Sequence, residues 1–110
     1  MRVHAIGRRT GKSRPVMVGY FEDGPNLVAL ATNGWAGADP DWWLNLQAHP
    51  DVVVDLVGET RSVRARAAVG DERARFWNRW RSIDKGLDGL AARRPKQTAV
   101  VVFEPAPREP

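Results

Sequence analysis

Short runs of apolar residues, separated by turn chemistry, dominate this chain and predict strands rather than long helices. Val3–Ile6 is apolar enough to form a strand, and Pro15–Phe21 reads as a second one across a loop. Glu22–Asn26 (EDGPN) is a turn by its Asp-Gly and Pro-Asn dipeptides, and Leu27–Thr32 continues as a third strand. The valine-rich run Val52–Val57 predicts a fourth strand covered on both faces, closed by a turn at Gly58-Glu59. Thr60–Ala68 alternates, with Val63, Ala65 and Ala67 on one face and Ser62, Arg64 and Arg66 on the other. Thr98–Glu104 is the closing strand, and the proline-rich end from residue 106 to 110 is expected to fray.

Two helices interrupt this pattern. One is expected to start with Asp39 as N-cap and Pro40 at the first helical position, and to run through DWWLNLQA to His49-Pro50. The other begins at Gly70-Asp71 and ends near Ile83, with Phe76, Trp77, Trp80 and Ile83 at helical spacing. Leu87 and Leu90 suggest a short third helix. Six strands with two or three helices predict a mainly β, α+β fold: a six-stranded antiparallel barrel with helices outside, in one domain over residues 1–105.

Composition narrows the chemistry. A chain of 110 residues can bury a modest core, and the absence of cysteine removes disulfides, thiolate nucleophiles and cysteine metal sites. The two histidines, His4 and His49, have no carboxylate partner at ligand spacing, so no metal site is expected. Neither a signal-peptide run nor a membrane-length apolar stretch occurs, which points to a cytoplasmic protein, at most peripheral to a membrane.

Net charge is +4, but its distribution is uneven. Residues 1–21 hold five basic and no acidic side chains; residues 22–60 hold seven acidic and no basic ones; residues 61–96 hold eleven basic against four acidic. Such blocks either attract one another or form separate surface patches.

The densest basic segment is IGRRTGKSR, Ile6–Arg14, where Arg8, Arg9, Lys12 and Arg14 are spaced by Gly7, Gly11, Thr10 and Ser13. Glycines let backbone N–H groups approach an anion, and arginines supply forked, charge-assisted hydrogen bonds. The plain alternative is a solvated hairpin loop. A second candidate is ATNGWAGADPDWWLNLQAHPDVVV, Ala31–Val54. Neighbouring helical positions lie about 100° apart, so Trp42 and Trp43 cannot both face one core. Trp42 and Leu46 share a face, while Trp43 and Asn45 look elsewhere. One flat aromatic is thus available to wall a planar ring, the alternative being that both are core.

The order G-R-R-T-G-x-x-R, A-T-x-G and P-x-W-x-x-N-L-x-A-x-P resembles the deazaflavin-dependent nitroreductase family, over about Ile6–Glu104. The resemblance implies a split β-barrel, FMN-binding-like in fold, that binds reduced coenzyme F420 and passes a hydride to a small electron-poor acceptor such as a quinone or nitro compound. It assigns Arg8, Arg9, Arg14 and Lys12 to the cofactor's anionic tail. Ala31, Thr32 and Asn33 then line the ring, and Asp41, Trp42 and Asn45 border the pocket. A homodimer could complete the acceptor side. Family members commonly have Ser-Lys where this chain has Thr32-Asn33, and tyrosines where it has Asp84, Leu87 and Leu90. Tyr20 is the only tyrosine, so no catalytic residue is assigned and solvent is the expected proton source. Three other readings compete. These are a non-catalytic deazaflavin carrier, an FMN protein of the same barrel type, and a nucleic-acid binder using the basic loop and the Arg64/Arg66 face. The acidic middle block speaks against nucleic acid.

Overall fold

A computed structural model describes residues 1–106 of the chain; the tail expected at 106–110 lies outside them from residue 107 onward. Strands β1 (Arg2–Ile6), β2 (Ser13–Met17), β3 (Phe21–Asp23), β4 (Asn26–Leu30), β5 (Asp51–Leu56), β6 (Glu59–Ala67) and β7 (Val100–Pro105) form one antiparallel sheet. Its order is β2-β1-β5-β6-β7-β4-β3, curled into a half-barrel. Helices α1 (Asp41–Ala48) and α2 (Gly70–Ile83) lie against it, and α3 (Leu87–Ala91) packs on α2.

Seven strands replace the expected six because Pro15–Phe21 is not one strand. The chain leaves the ladder after Met17 and re-enters at Phe21, where it pairs with Val28. The pairing with β1 runs one residue further before the break, since the Met1 amino group donates to the Val18 carbonyl and the Val18 N–H to the Met1 carbonyl, both at 2.9 Å.

The core has two layers. Inside the curl, Val3, Ala5, Leu27, Ala29, Val54, Val63, Val101 and Phe103 pack with Trp43 and Leu46 of α1. Outside it, Val28, Val100 and Val102 pack with Phe21 against Phe76 of α2, flanked by Trp77 and Trp80. Residues Val100–Phe103 are therefore buried on both faces. The valine run at 52–57 is not: Val52 and Val54 face the core, Val53 is 38% exposed, and Val57 projects from the Gly58 turn into solvent. An uninterrupted apolar run shows only that both faces tolerate apolar residues, and here a helix covers just β7 and its neighbours. Ile83, at the last turn of α2, and Ala67 at the end of β6 are likewise exposed rather than core.

The β1–β2 hairpin is held along five residue pairs, from Arg2↔Met17 to Ile6↔Ser13. It joins the rest of the sheet through two only, Arg2↔Asp55 and Val3↔Val54. Beyond Val3 the pairing with β5 ends, and α1 packs against β1.

The charge blocks largely meet one another. Arg75 pairs with Asp23, Arg64 with Asp51, Arg8 with Asp41, and both Arg94 and Lys96 with Asp39. Arg66 bridges Glu72 of α2 and Glu104 of β7, and these two carboxylates raise its pKa well above the ordinary arginine value. Most of these pairs are exposed and contribute little individually.

Candidate functional site

The β1–β2 loop, the segment after β4 and the start of α1 enclose a cleft of about 560 Å³, within the size range of small-molecule sites. Gly7, Arg8, Arg9, Thr10, Arg14, Pro15, Val16, Asn33, Pro40, Asp41, Trp42 and Asn45 line it.

The basic loop is internally built. Gly7 donates to the Lys12 carbonyl and accepts from Gly11 N–H, both at 2.8 Å, while Lys12 N–H reaches Thr10 Oγ1. A side chain at Gly7 would sit 2.8 Å from Thr10 Oγ1, so glycine is what allows the tight closure; Gly11 supplies a left-handed turn at φ 70°. Asn45, 5% exposed on α1, fixes the loop to the helix. Its Oδ1 accepts both the Arg8 backbone N–H (3.1 Å) and Arg8 Nη1 (2.8 Å), and Asp41 takes Arg8 Nη2 at 3.4 Å. Arg9 and Arg14 are exposed at the cleft, with no ion-pair partner among the described residues.

Helix α1 presents its two tryptophans differently. Trp43 and Leu46 are core, and Trp42, half-buried, lines the cleft beside Asp41 and Asn45. The face shared by Trp42 and Leu46 in the sequence reading thus splits: Leu46 goes inward and Trp42 to its margin. Asp39 is not the N-cap. Pro40 occupies that position, without a side-chain cap bond.

The opposite wall is strained. Asn33, Gly34 and Trp35 have φ of 49°, 63° and 65° in succession, a conformation that costs non-glycine residues energy and persists only where the surroundings over-determine it. Local bonds help, Trp35 N–H to the Thr32 carbonyl at 2.7 Å and Asn33 Nδ2 to the Ala38 carbonyl at 3.0 Å. Behind the wall lies Arg94, whose side chain has no solvent exposure.

Of the ten residues expected at the site, Arg8, Arg9, Arg14, Asn33, Asp41, Trp42 and Asn45 line one cleft. Lys12 is exposed in the same loop but off the lining, and Ala31 and Thr32 stand behind the wall, Ala31 fully buried. Gly7, Thr10, Pro15, Val16 and Pro40 complete the lining and were not named as site residues, although the first two lie within the basic motif. Tyr20 borders a separate recess with Met1, Met17 and Leu56.

Asp39 anchors the end of the strained segment, 3.1 Å from Arg94 Nη2 and 2.9 Å from Lys96 Nζ. Burial raises its pKa, but hydrogen bonds and charge from Lys96 and Arg94 outweigh burial and hold the carboxyl below its ordinary range. A depressed folded value stabilises in full above the unfolded pKa, and the gain fades as pH falls through the folded value. The melting-temperature gap between native and Asp39→Asn protein is therefore expected to narrow as pH falls from above the ordinary aspartate value of 3.8 to below it. A gap constant across that window would contradict the assignment.

The family model described as F420H(2)-dependent quinone reductase matches residues 2–105. A Mycobacterium tuberculosis protein provisionally named an F420H(2)-dependent quinone reductase is 29% identical over 98 residues, 89% of this chain and 82% of that protein. A second from the same organism, named F420H(2)-dependent quinone reductase, is 29% identical over 77 residues; they cover 68% of this chain and 52% of the relative, so the match spans about half that protein's length. Among solved structures, an F420-H2 dependent reductase (FDR-A) superposes with TM-score 0.83 at 22% identity, covering 94% of this chain and 91% of that one. A chain described as a domain-swapped dimer gives the same TM-score and identity, covering 94% and 78%. At these identities the structural matches establish the fold.

Proposed function

This chain belongs to the F420H(2)-dependent quinone reductase family, and we propose that its basic cleft is where the cofactor is held. Arg8, Arg9 and Arg14 take the anionic tail, Lys12 adds positive field from outside the lining, and Asn33, Trp42 and Asn45 border the ring. The observation that carries this reading is the convergence of two sequence motifs, far apart in the chain, on one cleft. The donor set fits the group. Guanidinium forks and loop N–H groups suit phosphate and carboxylate oxygens, while Trp42, Val16 and Pro15 offer apolar surface to a planar ring.

The cofactor, when bound, supplies the hydride, and the acceptor is a quinone or a related electron-poor compound. The chain's own residues bind and orient. Asn45 sets the position of Arg8, and Arg9 and Arg14 remain available to an incoming anion. Among the described residues Asp41 is the one carboxylate on the lining, and its side chain is 85% exposed. With no tyrosine or histidine there either, proton delivery falls to water entering the open cleft. Among the described residues no helix is long and apolar enough to cross a membrane, and a homodimer is in keeping with the swapped dimer among the structural matches.

Fluorescence titration of purified protein with F420 tests the reading. Saturable binding at micromolar protein, weakened by salt, is the expected result. Cofactor fluorescence unchanged at those concentrations would overturn it. Tight binding without turnover on a panel of quinones would make the protein a carrier.

A further inference from the structure

We infer that Arg94 is a positioning residue for the cofactor, acting through the strained wall of the cleft; the inference rests on the proposed cofactor site. Arg94 follows α3, outside both motifs that define the cleft. Its guanidinium donates through Nε to the Ala36 carbonyl (2.9 Å), and through Nη1 to the Ala31 carbonyl (3.1 Å) and Thr98 Oγ1 (2.9 Å). Nη2 donates to the Ala38 carbonyl (3.1 Å) and Asp39 Oδ1 (3.1 Å). A guanidinium has five N–H donors in a fixed planar fork, and all five are used.

Four of the five acceptors belong to Ala31–Asp39, the segment that contains three successive left-handed residues and contributes Asn33 to the cleft. The carbonyls of Ala31 and Ala36 would otherwise have to find partners or turn outward to water, while that of Ala38 also accepts from Asn33 Nδ2. Holding them inward gives the segment one shape. The fifth acceptor, Thr98, is 2% exposed, and its carbonyl takes Arg73 Nη1 of α2 at 2.6 Å. The clamp is thereby fixed to the body of the molecule. Lysine would keep the charge with three donors and no fork, so at least two of the five bonds would be lost. Exposed Arg93, one residue earlier, makes no such contacts and serves as the control.

Arg94→Lys, Thr98→Val and Arg93→Lys proteins would be compared with native protein in two measurements. One is amide exchange at Trp35 and Ala36 without cofactor; the other is F420 titration, with steady-state kinetics at saturating quinone. For Arg94→Lys, exchange is expected to accelerate about tenfold or more and the F420 dissociation constant to rise about tenfold. KM for the reduced cofactor should rise with it while kcat stays within about twofold. Thr98→Val, which removes one acceptor, should move in the same direction by less, and it decides the matter if Arg94→Lys does not fold. Arg93→Lys should match native protein in both. Accelerated exchange with native affinity would overturn the inference, and so would native exchange rates in both variants. Native protein that fails to bind F420 would instead overturn the cofactor reading, with the exchange measurement still reporting the clamp.

Discussion

Reversing two charges at once, Arg9→Glu with Arg14→Glu, is expected to weaken F420 binding on the order of a thousandfold while leaving the fold intact. A hydrogen bond to a charged group contributes roughly 1.5–3 kcal/mol, and every 1.4 kcal/mol is a factor of ten, so two such contacts account for the bulk of the loss. Placing carboxylates beside an anionic tail adds repulsion. The fold should tolerate the change because both side chains are exposed and neither has an ion-pair partner among the described residues. The measurement is a cofactor titration at two ionic strengths beside a thermal melt. The variant should also lose most of the salt dependence of binding. A dissociation constant within about threefold of native would place the anion elsewhere.

Asn45→Leu carries the second large effect, and it should strike binding and stability together. One buried oxygen serves two donors of Arg8, and leucine fills a similar volume without accepting either. An orphaned donor of this kind costs about 1–3 kcal/mol, which for a domain of this size lowers the melting temperature by roughly 5–15 °C. F420 affinity should fall about tenfold or more as Arg8 loses its brace. Asn45→Asp is the informative companion, since it keeps the acceptor and adds charge. It should recover most of the melting temperature, and a failure to do so would mean that Asn45 acts through packing alone.

Much of the fold was legible because period-two alternation and turn dipeptides are local signals. Thr60–Ala68 shows this, as do the Asp-Gly-Pro-Asn turn and the start of α2 at Gly70. What was not legible depended on neighbours. The strand expected at Pro15–Phe21 divides because its first part pairs with β1 as far as Met1↔Val18 while Phe21 pairs with Val28 of β4, partners no local window contains. Asp39 has the chemistry of an N-cap but is claimed by Arg94 and Lys96 from more than fifty residues away. The site followed the same rule. Arg8, Arg9 and Arg14 announce themselves through glycine spacing and uncompensated charge. Arg94 does not, because it sits beside Arg93 in a basic stretch and only tertiary packing distinguishes the buried arginine from the exposed one.

The two-pair seam between the basic hairpin and β5 has a mechanical consequence. A ladder that short leaves the placement of the rest of the hairpin to α1, through the two Arg8 bonds to Asn45 and the one to Asp41. The arm that carries the arginines is fixed at its base by the sheet and at its tip by the helix, so the width of the cleft follows the seating of α1.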